Sequence, residues 1–124
     1  MKAFYLNVQK NKNGKLIEIE DNLETFYELI QCRCIDIVRR RIGNKPFEII
    51  CDDEGALVET PIISAIDSNG NIMLVGNLIV FSGDVTEDGE LTELKSDEIE
   101  EIRNNIRYIQ YQNRTYCIIA NCEY

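Results

Sequence analysis

Residues 71–83 read NIMLVGNLIVFSG and contain the longest apolar run of the chain. Two apolar tetrads, residues 72–75 and 78–81, flank Gly76 and Asn77 in this stretch. Continuous apolar runs that are rich in β-branched residues and bounded by Gly and Asn predict strands buried on both faces. Because both tetrads are apolar throughout, the Gly-Asn pair fits either a tight turn between two strands or a bulge in one long strand.

A β-hairpin is predicted at the start of the chain. Residues 2–9 and 15–20 alternate between apolar and polar side chains, the period expected of half-buried strands. Residues 10–14 lie between them and end in Asn-Gly, a pair that readily adopts the positive φ angles of a hairpin turn.

Two more strands and one weakly patterned segment are predicted before the central run. Residues 33–40 and 46–51 have strand-like patterns and are separated by a Gly-Asn turn. In the segment that follows, Leu57 and Val58 are interpreted as a brief strand. Pro61 is interpreted as the first residue of a short helical turn, because proline is favoured at that position.

Two amphipathic segments predict helices that cover the central strands. Asp21 is the predicted N-cap of a helix over residues 22–31, with Glu24 completing a capping box. Ser96 is the predicted N-cap of a second helix over residues 97–106, whose first turn is acidic. We expect each helix to cover one face of the sheet.

The end of the chain allows two interpretations. Residues 106–124 either form a terminal hairpin or begin with a continuation of the second helix to Ile109. In both cases strands and helices are mixed without regular alternation. The pattern predicts an α+β fold with a mostly antiparallel sheet built from hairpins and two short helices as cover.

The composition of the chain indicates its cellular compartment and the kinds of partner that it can bind. The chain of 124 residues has 22 acidic and 13 basic residues, no histidine and a net charge of −9, which disfavours direct binding to nucleic-acid phosphates. Five cysteines without a signal peptide predict reduced thiols and a cytoplasmic location. The longest apolar run is shorter than the roughly 20 residues of a membrane helix, so no membrane partner is expected.

Charge is distributed unevenly along the chain. Residues 84–101 contain nine acidic residues and a single base, Lys95, whereas residues 33–45 contain five basic residues and one acid. We interpret the first segment as a candidate surface for a protein partner, with the side chains of Asp84, Glu87, Asp88, Glu90 and Glu93. A candidate anion-binding site in the second segment consists of Arg39, Arg40 and Arg41.

No catalytic or metal-binding pattern stands out. A Cys-His nucleophile pair is excluded because the chain lacks histidine. Cys32 and Cys34 do not have the usual Cys-x2-Cys spacing of a zinc site, and we expect the cysteines to be core or incidental thiols. The glycines form no phosphate-binding motif. We therefore expect no cofactor, no metal and no enzymatic activity.

The order of these features resembles the domain of unknown function 3846 family. The similarity covers about residues 1–105, so we expect one domain over residues 1–124 with a C-terminal hairpin extension at 106–124. Known members are small proteins of bacteria, phages and mobile elements without an established activity, which implies an accessory or host-interaction role. The resemblance rests on the segments Asp21-Asn22-Leu23-Glu24, Ile35-Asp36-Ile37-Val38, residues 49–55, residues 67–70, residues 72–81 and Leu94-Lys95-Ser96-Asp97-Glu98.

Three functions from different classes follow from these observations. The leading hypothesis is a non-enzymatic interaction protein that binds a host macromolecule through its acidic surface. The first alternative is a domain that binds a small molecule or anion against the central sheet, with an arginine of residues 39–41 as anchor. The second alternative is a self-associating domain whose last hairpin extends the sheet of a partner.

Overall fold

The computed structural model describes residues 1–9, 14–54 and 61–124. Residues 10–13 of the predicted turn at 10–14 lie outside these residues, as does the predicted strand at Leu57 and Val58. Over the described ranges the elements, in chain order, are β1 (Lys2–Leu6), β2 (Lys15–Glu18), α1 (Leu23–Ile30), β3 (Ile35–Ile42), β4 (Lys45–Asp52), β5 (Ile63–Ile66), β6 (Ile72–Val75), β7 (Leu78–Ser82), α2 (Ser96–Asn104), β8 (Ile106–Tyr111), β9 (Arg114–Ile119) and β10 (Cys122–Glu123).

The strands form two sheets. The six-stranded sheet has the order β10-β3-β4-β7-β1-β2, and the four-stranded sheet has the order β6-β5-β9-β8. Neighbouring strands pair antiparallel, except for β5 and β9, which are parallel where Ala65 meets Ile119. With two helices beside these sheets, the predicted α+β class with mostly antiparallel pairing is confirmed.

Strand β7 lies at the centre of the six-stranded sheet and is buried along its whole length. It pairs with β1 on one side and with β4 on the other. Because successive side chains of a strand point to opposite faces, Leu78 and Val80 enter one apolar cluster and Ile79 and Phe81 enter another. The prediction of a strand buried on both faces is correct for this tetrad.

Helix α1 covers one face of the six-stranded sheet. Its buried residues, Phe26 and Ile30, pack with Ile79, Phe81 and other residues of that face. The rings of Phe26 and Phe81 meet edge to face with centroids 5.9 Å apart, a geometry that contributes about 1 kcal/mol beyond burial of area.

The opposite face is covered mainly by the four-stranded sheet. Ala65, Leu74, Cys117 and Ile119 from that sheet are buried in the same cluster as Leu78 and Val80, and α2 adds Ile102. Helix α2 therefore helps to cover this face, as expected, but most of the cover comes from the four-stranded sheet, which the sequence does not predict. A helix of nine residues presents too narrow an apolar stripe for the area that two packed sheets bury.

Gly76 and Asn77 form neither a hairpin turn nor a bulge, because β6 and β7 belong to different sheets. Gly76 has a φ of 81°, which favours glycine, and the chain crosses between the sheets at this point. The Asn77 side chain is buried; it accepts a hydrogen bond from the Val8 backbone N–H at 3.0 Å and donates to the Leu29 and Ile30 carbonyls at 3.3 and 3.2 Å.

The first tetrad differs from the second. Strand β6 is an edge strand, and Ile72 is 59 % exposed. The prediction that both tetrads are buried on both faces is therefore wrong for β6. Apolar composition does not distinguish an edge strand packed on one face from a central strand packed on two.

Both helices begin one residue away from the predicted position. Asn22, not Asp21, caps α1, because its Oδ1 accepts a hydrogen bond from the Thr25 backbone N–H at 3.2 Å. Lys95, not Ser96, occupies the N-cap position of α2, and its backbone N–H donates to Glu98 Oε1 at 2.8 Å. This contact is the carboxylate half of a capping box, which sets the first turn.

Two further segments, one before the central run and one at the end of the chain, form strands. The helical turn predicted at Pro61 is wrong, because residues 63–66 form β5 and pair with β6 and β9. Helix α2 ends at Asn104, and the hairpin interpretation of the tail is confirmed by β8 and β9. Their turn has positive φ at Gln112 and Asn113, as a type I′ hairpin requires.

No helix in the described part of the chain is long and apolar enough to cross a membrane.

Candidate functional site

The candidate acidic surface begins with the loop between β7 and α2, residues 83–95, here called the acidic loop. Its two ends are held by backbone contacts with core strands. The Ser82 N–H donates to the Thr92 carbonyl at 3.3 Å, and the Leu94 N–H donates to the Lys2 carbonyl at 2.9 Å. Leu94 itself is buried in the core. The acidic loop therefore has a defined conformation relative to the six-stranded sheet.

The tip of the acidic loop is a compact turn. The Thr86 N–H donates to the Glu90 carbonyl at 3.1 Å, the Gly89 N–H donates to the Thr86 carbonyl at 2.9 Å, and the Glu90 N–H donates to Thr86 Oγ1 at 3.0 Å. Gly89 has a φ of 80°, a conformation that favours glycine. The turn leaves Glu87 and Asp88 exposed at its apex.

The five acids predicted for this site fall into two groups. Asp84 accepts a hydrogen bond from the Lys95 ammonium, which lowers the pKa of the carboxyl group. Glu93 accepts one from the Lys2 backbone N–H at 3.2 Å. Within the described residues, the carboxylates of the other three make no hydrogen bond or ion pair; they belong to Glu87, Asp88 and Glu90.

Three acids of α2 have structural roles. Asp97 pairs with Lys45 at 3.0 Å, and hydrogen bonding by this ammonium lowers the pKa of the carboxyl group. Glu98 is buried and accepts a hydrogen bond from Ser82 Oγ at 2.8 Å. Glu101 accepts one from the backbone of the β3–β4 turn at 3.1 Å. Among the acids of residues 84–101, the contacts of the described residues therefore leave exposed the carboxylates of Glu87, Asp88 and Glu90 in the acidic loop and that of Glu100 in α2.

The three consecutive arginines of β3 do not converge on one site. Arg39 Nη1 donates to Glu48 Oε1 at 2.8 Å and to the first carbonyl of the acidic loop at 2.9 Å. The Arg40 guanidinium lies over the Tyr124 ring, 4.5 Å from its centroid. Because strand side chains alternate, Arg40 points to the opposite face from Arg39 and Arg41. Arg41 is exposed.

All five cysteines are free thiols. Cys51, Cys117 and Cys122 are buried, and desolvation raises the pKa of each; for Cys51 and Cys122 it reaches about 11. Cys32 and Cys34 precede β3 instead of lying in it, and Cys32 Sγ donates to the Cys34 carbonyl at 3.4 Å. In residues 1–9, 14–54 and 61–124 no three Cys, Asp or Glu side chains are placed to share a metal ion.

A second candidate site was not predicted from the sequence. An apolar groove of about 470 Å³ lies on the outer face of the four-stranded sheet. The sequence feature that could have revealed this groove is the alternation of apolar side chains in β8 and β9. The register pairs Ile109 with Tyr116 and so places both side chains on one face of the sheet. The parallel contact of β5 and β9, which completes the groove, has no local sequence signature. The groove is lined by Pro61, Ile62, Ile63, Ile66, Gly70, Ile109, Tyr111, Tyr116 and Ile118.

Comparison with known proteins places the chain in a family. The fold of this chain is an α+β arrangement in which a six-stranded and a four-stranded sheet share one core. The model of the family described as a domain of unknown function, DUF3846, matches residues 1–107, so the chain belongs to this family, as its sequence features predict. Searches of curated proteins and of solved structures gave no match. The family match ends early in β8, before β9 and β10.

Proposed function

We propose that this chain is a non-enzymatic accessory protein, encoded by a phage or another mobile element, that binds a positively charged surface of a host protein. The observation that carries the proposal is the construction of the acidic loop. Its backbone is held by the core strands and by its own turn, while Glu87, Asp88 and Glu90 present carboxylates to solvent.

A fixed loop is suited to recognition, because binding then costs less conformational entropy than the ordering of a mobile segment. Its carboxylates would direct a basic partner toward the loop and increase the association rate. With a net charge of −9 the chain repels phosphate backbones. A basic protein surface, including one that itself binds nucleic acid, is therefore the favoured partner.

Capture from a host lysate tests the proposal. The bait is the full chain with the triple substitution Glu87→Lys, Asp88→Lys and Glu90→Lys. We expect this variant to lose the partner that the natural chain retains, and we expect capture by the natural chain to weaken as salt is added, because screening shortens the range of charge interactions.

A matched control separates the loop from net charge. The variant Glu20→Lys, Asp21→Lys and Glu28→Lys makes the same change in net charge at exposed positions on and before α1. It should retain the partner. Equal capture by both triple variants, or equal loss in both, would contradict a role for the acidic loop.

A second candidate function is favoured by the apolar groove, whose volume of about 470 Å³ is in the range of small-molecule sites. The ligand would be a small apolar compound with a polar group near the hydroxyls of Tyr111 or Tyr116. This site lies on the four-stranded sheet, and the arginines of residues 39–41 are not among its lining residues.

An apolar fluorescent dye such as anilinonaphthalene sulfonate tests this candidate. The dye should bind the folded natural chain and raise its melting temperature. Ile63→Lys, in the groove lining, should abolish binding, whereas Ile72→Lys, an exposed position outside the lining, should leave it unchanged. Equal binding by both variants would remove the groove as the site.

A further inference from the structure

The edge strands of the two sheets differ in how well they are protected from pairing with another chain. Among the described strands the edges are β10, β2, β6 and β8. Strand β10 has two residues, β2 has four and begins and ends with charged residues, and β6 has four and pairs with an irregular register. Short strands, charges and bulges are the usual features that prevent edge-to-edge association.

Strand β8 has only one of those features, the charge of Arg107. It has six residues, IRYIQY, with no proline, glycine, lysine or acid, and all six pair with β9 in a continuous register. Three of its side chains are large and exposed: Tyr108 by 56 %, Ile109 by 46 % and Tyr111 by 64 %. A long, regular edge with exposed apolar side chains is a template for a further strand.

We propose that β8 pairs antiparallel with β8 of a second copy of this chain, about a two-fold axis that passes beside Ile109. This interaction would join the two four-stranded sheets into one continuous sheet across the dimer. It uses a surface distinct from the acidic loop, so it stands independently of the proposed function.

The β8 sequence is complementary to itself in this register. The side chains of two directly paired residues lie on the same face of the sheet. Two residues that pair across the two-fold axis are therefore separated by an even number of positions in the sequence. About Ile109, the two isoleucines face each other, Arg107 faces Tyr111 of the second copy, and Tyr108 faces Gln110 of the second copy. No like charges are opposed, and the Arg–Tyr pairs allow cation–π contact.

Charge also distinguishes this interface from the acidic loop. Each copy carries a net charge of −9, so two copies repel each other over long distances. Pairing at β8 gains main-chain hydrogen bonds and apolar contact, with no attraction between opposite charges. Added salt should therefore strengthen dimerisation, the opposite of its effect on capture through the acidic loop.

Disulfide trapping tests the register. In a full chain carrying Cys32→Ser and Cys34→Ser, Ile109→Cys should form a covalent dimer under a mild oxidant, because paired residues across the axis lie within disulfide range. Ile72→Cys, at an exposed position of the β6 edge, should remain monomeric on the same gel. Cross-linking of both variants to the same extent, or of neither, would overturn the proposal.

Sedimentation tests the association without a cross-link. Ile109→Lys places two ammonium groups opposite each other at the axis and should increase the dimer Kd at least about tenfold, whereas Ile72→Lys should leave it unchanged. A natural chain that sediments as a monomer at millimolar concentration would overturn the proposal, even if the lysine variant failed to fold.

Discussion

The six-stranded sheet is covered on both faces around β7, whereas the four-stranded sheet packs one face into the shared core and leaves the apolar groove on the other. The exposed β8 edge belongs to the four-stranded sheet, and the acidic loop leaves the six-stranded sheet at the end of β7. This difference indicates that β7 and its neighbours supply stability, while the candidate interaction surfaces lie at the periphery.

The largest expected effect compares the two apolar tetrads. Leu78→Asp places a carboxylate without a partner at a site with 0 % exposure and should remove several kcal/mol, enough to unfold the chain. Ile72→Asp, at a site with 59 % exposure, should cost less than about 1 kcal/mol. Circular dichroism during urea denaturation measures both. A soluble Leu78→Asp chain that unfolds cooperatively would contradict the assignment of β7 as the centre of the core.

The sequence predicted the elements better than their arrangement. Strand β7 was correctly predicted as doubly buried because an unbroken β-branched run requires cover on both faces. The same argument failed for β6, since an edge strand can have the same composition. Each cap position was wrong by one residue. For α1, Asp21 and Asn22 are both good caps and the choice between them depends on the path of the chain. For α2, the first turn is set by the hydrogen bond from the Lys95 backbone N–H to Glu98, which needs no capping side chain at residue 95.

The candidate surfaces could likewise be predicted only in part from the sequence. The acids of the acidic loop were visible from composition, but which of them are paired depends on contacts such as that between Asp84 and Lys95. The groove could not be predicted from local pattern. It requires β5 to lie beside β9, and the segments they come from are far apart in the chain.

The junction between the sheets should give the next largest effect. Asn77→Ala removes the side chain that bonds Val8, Leu29 and Ile30. The Leu29 carbonyl keeps its hydrogen bond from the Tyr5 hydroxyl, but the Val8 N–H and the Ile30 carbonyl lose the Asn77 partner, and the substitution should cost about 2–4 kcal/mol. Urea denaturation measures the loss.

Asn71→Ala is the matched control for the junction. This residue is exposed and bonds Asp67, so its substitution should cost less than about 1 kcal/mol. Equal losses in the two alanine variants would show that the contacts of Asn77 with Val8 and with the end of α1 do not stabilise the fold.

The buried thiols predict a pH dependence of stability. Burial raises the pKa of Cys51 and Cys122 from 9.0 to about 11, so the folded chain binds protons more tightly than the unfolded chain. That stability is fully present below pH 9 and is lost as the pH rises toward 11. The urea midpoint should therefore fall over this window, and a midpoint that rises there would contradict the burial of these thiols.

Alkylation at neutral pH should show the smallest effect, a change in reactivity without a change in fold. Iodoacetamide should modify the exposed Cys34 first and leave Cys51 and Cys122 unmodified until urea is added, because thiolate is the reactive form. Mass spectrometry of peptides locates the label. Early labelling of Cys122 would indicate that β10 does not stay paired with β3.

We propose that folding and partner binding reside in different parts of the molecule. The most direct test measures both properties on one variant, the triple substitution Glu87→Lys, Asp88→Lys and Glu90→Lys. We expect each exposed substitution to change the free energy of unfolding by no more than about 0.5 kcal/mol, while capture of the host partner is lost. Intact capture by this variant, or a loss of stability comparable with that of Asn77→Ala, would contradict it.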